Sequence, residues 1–181
     1  YSVSISKSLF DMMKIEIGGF YINTDNQIIS VPKNTISWSA KNIGKVITQG
    51  MEVMISGSLF TEDISYNLAY TRQSVKDKST KAMSYDKLIV YSPQEILNIS
   101  LNYRIAHFDI MTNCEYTSHR FSMTDNSYGS MLPSYLLFNA GISYSTELYE
   151  IKTKFRIDCQ NITDKQYQVI MNYPMPGRIF R

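Results

Sequence analysis

The feature that most restricts what this chain can fold into is strict alternation of apolar and polar side chains, repeated in segment after segment. From Leu97 the odd positions are Leu97, Ile99, Leu101 and Tyr103, while the even ones are Asn98, Ser100, Asn102 and Arg104. Successive side chains on a strand point to opposite faces, so this order makes one apolar and one polar face, and helical spacing fails almost throughout. From Tyr149 the apolar row is Tyr149, Ile151, Phe155, Ile157 and Cys159, broken only by Thr153, against Glu150, Lys152, Lys154, Arg156, Asp158 and Gln160. Ile64 to Thr71 and Phe138 to Tyr144 repeat the pattern, and weaker copies sit at Val3 and Ile5, Met13 to Tyr21, Met51 to Ile55 and Phe108 to Tyr116. The expectation is an all-β chain of eight strands.

Composition removes several classes. A hydrophobic fraction of 44% with 19% charged residues is too apolar for a disordered chain, and a net charge of +2 argues against a nucleic-acid partner. No run approaches the ~18 to 20 apolar residues of a membrane-spanning helix. Tyr1 opens without Met, basic segment or apolar leader, which reads as something other than a native translation start. The 14 Tyr and 8 Phe beside only 8 Gly and 5 Pro favour strands. Cys114 and Cys159 show no metal-ligand spacing; two isolated thiols are expected, with a bridge left open as the alternative.

The connections alternate in length. Short ones fall at Leu9 to Asp11, Ser58 to Asp63, Ile105 to His107 and Ser145 to Leu148; long ones cover Asn23 to Lys45, Arg72 to Tyr91, Phe121 to Pro133 and Thr163 to Pro176. An up-and-down meander trimmed at one end, with strands of about 9 to 11 residues, is the outer-membrane barrel pattern. Tyr70, Tyr103, Tyr116, Tyr144 and Tyr149 end the apolar rows, where aromatic girdles meet lipid headgroups. On this reading Leu97, Ile99, Leu101, Phe138, Ile142, Phe155 and Ile157 face lipid. Asn98, Asn102, Arg104, Glu115, Asn139, Lys152, Lys154, Arg156 and Asp158 face the lumen, mostly satisfying one another or water. The competing reading is a soluble β-sandwich, in which the apolar rows would pack against a second sheet and exposed aromatics such as Trp38 and Tyr85 could hold a carbohydrate.

Specific motifs add a resemblance. Asn42 to Val53, with Gly44, Gly50 and Glu52, resembles a segment of TonB-dependent outer-membrane receptors in which an external loop returns into the barrel. Tyr91-Ser92-Pro93 before Leu97, and Leu132-Pro133-Ser134-Tyr135 before Phe138, look like the loop ends that precede later strands. Gln160 to Tyr167, with Asn161, Asp164 and Tyr167, is similar to the family's Glu-Asn-Leu-Phe-Asp-Lys-x-Tyr run. Tyr173, Pro174, Pro176, Gly177 and Arg178 look like its Pro-Gly-Arg approach to the final strand.

The resemblance implies an up-and-down antiparallel transmembrane barrel of 22 strands, of which residues 1–181 would be a C-terminal segment of about eight, with the plug domain and the final strand absent from it. It further implies import of a scarce nutrient of the ferric siderophore, haem or cobalamin class, a metal chelate for instance, with energy from TonB, lipid and the receptor's own plug as partners, and no cofactor. A complete small eight-stranded barrel is the structural alternative. An enzyme is not expected. His107 and His119 fall near opposite ends of the sheet and no Gly-x-Ser-x-Gly turn is present; only His119 could meet an extracellular ligand such as haem, and a solvated strand-end histidine is the expectation there.

Overall fold

The computed structural model describes residues 1–9, 12–32, 37–59, 63–80 and 82–181. Its centre is one antiparallel meander. Strands β1 (Ser2–Leu9), β2 (Met13–Pro32), β3 (Trp38–Leu59), β4 (Ile64–Asp77), β5 (Glu95–Ile105) and β6 (Phe108–Thr117) pair in chain order. After two short strands, β7 (Arg120–Phe121) and β8 (Met131–Leu132), the sheet resumes with β9 (Tyr135–Leu148) and β10 (Ile151–Gln160). The segment Gln168–Ile170 (β11) pairs with Tyr173–Pro174 (β12), and Ile179–Phe180 (β13) returns to the main sheet against β10. The main sheet therefore has nine strands, not eight: Arg178 leads into a ninth that pairs at Cys159↔Phe180 and Gln160↔Ile179. No helix among the described residues is long and apolar enough to cross a membrane.

The periodic pattern held for the paired cores of the strands and failed for their lengths. Asn23 to Lys45, expected to be a loop, is mostly a projecting hairpin: β2 and β3 stay in one register from Met13↔Gly57 to Pro32↔Trp38. The pairing lapses only at Asn26, whose φ is +57°. Residues 33–36 lie outside the described part. A ladder of backbone hydrogen bonds does not require alternating side chains once the strand has left the lipid, so the periodic signal stops before the strand does. Likewise β4 runs on to Asp77, and the segments expected as loops at Phe121 to Pro133 and Thr163 to Pro176 hold β8 with a 3-10 turn (Tyr128–Ser130) and the β11–β12 hairpin. The uniform 9-to-11-residue strand is thus replaced by strands of 20 and 22 residues beside others of 10 and 11.

The two faces are as the alternation requires. Antiparallel partners share a face, and the register joins Tyr70, Leu97, Tyr116 and Leu136 across four strands near one end of the apolar rows, with Tyr103, Phe108 and Tyr144 near the other. Six residues separate the two levels along β5, or about 20 Å at ~3.3 Å per residue, comparable to the ~25 Å apolar band of such barrels. Between them the apolar side chains are uncovered. Ile99 is 37% exposed, Phe155 57% and Ile157 62%; Leu101, Phe138 and Ile142 are exposed as well, with Leu97 half-buried. Among the described residues no second sheet lies over them, which removes the sandwich. The sheet is open, since β1 and β13 occupy opposite edges, which is not the closed ring that a small barrel requires. Cys114 and Cys159 are free thiols on the apolar face, opposite Phe138 and Ala140 of the intervening β9.

Candidate functional site: the polar wall and its outer collar

The polar face is built from small residues between long ones. Along β9 the row is Asn139, Gly141, Ser143 and Ser145, flanked by Met111 and Asp109 of β6 and by Asp158, Arg156 and Lys154 of β10. Because β9 offers so little bulk, Lys154 of β10 reaches across it to Asp109 of β6, with Nζ 3.3 Å from Oδ2. Arg104 meets the same carboxylate at 3.2 Å. A Cβ added at Gly141 would collide with Asp158, whose carboxylate Arg156 holds at 2.7 and 2.9 Å. Asn139 donates to both Asn113 and Glu115 at 3.2 Å. All nine residues expected to face the lumen lie on this face; Asn139 pairs with Glu115 and Arg156 with Asp158, while Arg104 and Lys154 share Asp109, a carboxylate outside the expected set. Exposed pairs of this kind contribute little individually, so the wall is a polar lining more than a source of stability.

Above the wall the long connections form a collar. Buried apolar residues among the described part are few, and Ile43, Val46 and Ile89 cluster here with Ile29 and Val75 packed against them. Asp77, opposite Val46 across β3 and β4, is buried, accepting from the Ser84 hydroxyl at 2.6 Å and the Ser79 N–H at 2.8 Å. Burial pushes its carboxyl up, but these hydrogen bonds outweigh it and hold the group below the usual carboxylate range. Asp86, bridged by Lys78 and Lys76, is likewise held low. An open cavity of about 510 Å³ lies between Gly44, Lys45, Lys78 and Ser84.

The next connection is braced more tightly. The Ser118 hydroxyl accepts from the N–H groups of Gln94 and Glu95, Ser122 donates twice to the Ser130 carbonyl, and Asn126 exchanges two hydrogen bonds with the Leu88 backbone. From this frame Arg120 enters the interior, 3% exposed, its guanidinium 5.1 Å from the Tyr135 ring centroid and donating to the Gln168 carbonyl of β11. Tyr135 stacks on Tyr167 at 4.7 Å and Tyr91 on Trp38 at 5.6 Å.

The motif residues fall into two sets. Asn161, Asp164 and Gly177 hold the last outer connection together. Asn161 is buried, donates to the carbonyls of Lys165 and Pro176, and accepts from the Lys165 N–H at 2.8 Å. Asp164 accepts from the Arg178 N–H at 2.8 Å, and any side chain at Gly177 would strike that carboxylate. Tyr173 and Pro174 form β12 opposite Ile170 and Gln168, and the residue before Pro176 donates its N–H to the Tyr167 carbonyl. Gly44, Gly50 and Glu52 are spread along β3. Gly50 lies beneath the Phe20 ring, where a Cβ would also meet the Arg72 carbonyl, and Glu52 sits on the polar face between Gly18 and Thr71. His107 and His119 flank β6 at its two ends, His107 edge-on to Tyr144 and His119 edge-on to Phe121. Arg120 was missed from sequence: it sits in a connection with no periodic signal, and its partners are far along the chain.

These features coincide with those of a known barrel. The sequence profile of the TonB dependent receptor-like β-barrel family matches residues 1–162, and the chain belongs to that family. Its members reside in the bacterial outer membrane, so the exposed apolar face is the lipid face and the polar wall lines the lumen. No curated protein matches the sequence significantly. The fold is similar to that of the ferric citrate transporter FecA (19% identity, TM-score 0.81, covering 99% of this chain and 29% of FecA). It is also similar to BauA, the ferric preacinetobactin receptor of Acinetobacter baumannii (17% identity, TM-score 0.78, 99% and 28%). A third similar structure is FyuA, the ferric yersiniabactin uptake receptor of Yersinia pestis (12% identity, TM-score 0.75, 100% and 27%). The chain thus spans less than a third of the length of these receptors.

Proposed function

We propose that residues 1–181 are the C-terminal part of the barrel wall of an outer-membrane receptor that captures a scarce nutrient as a metal chelate and imports it with energy delivered through TonB. The observation that carries this reading is the two-faced open sheet. An open edge leaves backbone N–H and C=O groups unpaired, each costing several kcal/mol in lipid, so β1 and β13 need further strands of the same barrel. The plug, the TonB contact and the other strands would then belong to the rest of the receptor. This segment supplies wall, lumen lining and outer collar, and the reading involves no covalent chemistry. A ferric chelate fits the names of the similar receptors, which are called after the iron complexes they take up.

The test is uptake of a radiolabelled iron complex by cells expressing the full receptor, with and without functional TonB. Accumulation that needs both supports the reading. Accumulation unchanged by loss of either one overturns it.

A further inference from the structure

A group of cations above the lipid face sits on one sector of the sheet and points away from the lumen. Tyr70 and Arg72 both meet the Glu95 carboxylate, at 3.2 and 3.8 Å, so Arg72 continues the lipid-facing row of β4 beyond its terminal tyrosine. Alternation along β4 and its unbroken register with β3 put Lys76 on that face, as they do Lys45 of β3. Tyr21 and Gln49 share it, in register with Ser74. Lys78 donates its backbone N–H to the Lys45 carbonyl and lies against the Tyr85 ring, with Tyr21 close enough to act on its charge. The positions two beyond Tyr116, Leu136 and Cys159, at the matching ends of β6, β9 and β10, are Ser118, Ser134 and Asn161, none of them charged. An open cleft of about 600 Å³ has Tyr21, Gln49, Met51, Arg72 and Ser74 in its lining, and the cavity beside Gly44 is bordered by Lys45 and Lys78.

The cations stand at different heights. Arg72 is two residues beyond Tyr70 and Lys76 six, which on a strand tilted by ~40° is about 5 and 15 Å above the tyrosine level. A glycerophospholipid carries its phosphate at one depth, whereas the glycolipid of an outer leaflet carries phosphates on its glucosamines and further acidic sugars above them. We propose that the outward face of β3 and β4 is a docking site for one lipopolysaccharide molecule. Its acyl chains lie on the apolar rows below Tyr70, a glucosamine phosphate meets Arg72 in the cleft, and acidic core sugars meet Lys45, Lys76 and Lys78. Three carboxylates share the face. Glu95 is paired with Arg72, Asp86 is divided between Lys76 and Lys78, and Asp25, opposite Lys45 in the register, forms no ion pair with it among the described residues. Such exposed pairs are weak, so a phosphate bearing more charge than a carboxylate joins or replaces them. The site needs only the family's place in the outer membrane and is independent of what the receptor imports.

The test uses the full-length receptor in detergent and measures equilibrium binding of a bisphosphorylated lipid A that bears two acidic core sugars. Phosphatidylglycerol and inorganic phosphate are the comparison probes. The variants are Lys45→Gln, Arg72→Gln, Lys76→Gln and Lys78→Gln combined in one protein, Asp86→Asn, and Lys165→Gln in the last outer connection. A cation near an anionic lipid surface is worth about fivefold in affinity, so the combined variant should bind the glycolipid at least tenfold more weakly than the native receptor. Lys165→Gln should bind as the native protein does. Asp86→Asn frees two lysines and keeps a residue type that tolerates its φ of +63°, so it should bind the glycolipid several-fold more tightly, a gain that misfolding cannot mimic. Heat-modifiable gel migration shows that each variant is folded; if the combined one is not, Asp86→Asn decides. Equal binding by native and combined proteins, no gain in Asp86→Asn, or an equal loss in Lys165→Gln overturns the site. Displacement of the glycolipid by inorganic phosphate, or phosphatidylglycerol bound as tightly, overturns it in favour of a general anion site. No iron complex enters the measurement, so failure of the import reading leaves this result standing.

Discussion

The spanning part of the sheet and its outer collar are stabilised by different solvents. In the spanning part, large apolar side chains such as Ile99 and Phe155 are uncovered, and the polar wall is wet. In the collar, Ile43 and Val46 are almost fully buried, and so are polar residues, Asp77, Ser118, Arg120, Ser122 and Ser130 among them. A strand in lipid buries its apolar face against the membrane and needs no core. A loop in water must bury its own apolar groups and satisfy every polar group that goes in with them.

The sharpest way to break this contrast is to make the same truncation in both regions. Ile43→Ala should cost about 2 to 5 kcal/mol of collar stability because it leaves a cavity. Ile99→Ala should cost about 2 kcal/mol, the low end of that range, since lipid chains flow into the space and only the transfer of three carbons at about 0.8 kcal/mol each remains. Amide exchange in the collar and urea unfolding from vesicles give the two numbers, and equal costs would mean that Ile99 is packed against protein.

Charge insertion separates the regions by depth. Phe155→Arg should cost about 2 to 4 kcal/mol if the site is near the bilayer midplane, whereas Leu148→Arg, beside the β9–β10 turn, should cost about 1 kcal/mol or less. A flat response along the strand would contradict a lipid-facing surface.

In the collar the controlling variable is pH. The folded-state pKa of Asp77 lies below its ordinary value, so its hydrogen bonds stabilise the fold fully above the usual carboxylate range. That contribution is lost as pH falls through the folded pKa. Asp77→Asn should be the less stable protein at neutral pH by about 1 to 2 kcal/mol, and the gap should close on acidification. Melts followed by Trp38 fluorescence would show it; a gap independent of pH would mean that the Asp77 charge is irrelevant.

The smallest effect lies at the opposite end of the sheet. Tyr149 and Glu150 form a two-residue hairpin turn with φ of 49° and 64°, a conformation that glycine adopts more cheaply. Glu150→Gly should therefore raise barrel stability by about 1 kcal/mol in the same urea titration. A loss instead would show that the Glu150 side chain holds the turn.

The amino-acid order alone determined the all-β class, the eight principal strands, which side chains share a face, and which end bears the long connections. Period-two alternation is a local property that lipid on one side and water on the other enforce residue by residue. That Asn161 and Asp164 tie the last connection to itself is visible only in the hydrogen bonds. Tertiary structure decided the rest. Where β2 and β3 end depends on their pairing with each other, since a polar ladder carries no periodic mark. Asp77 and Ser84, or Arg120 and Gln168 forty-eight positions apart, become a site only when separate connections are folded over the same end of the sheet. No local rule of side-chain order encodes that meeting, because its free energy comes from burying groups that are distant in the chain.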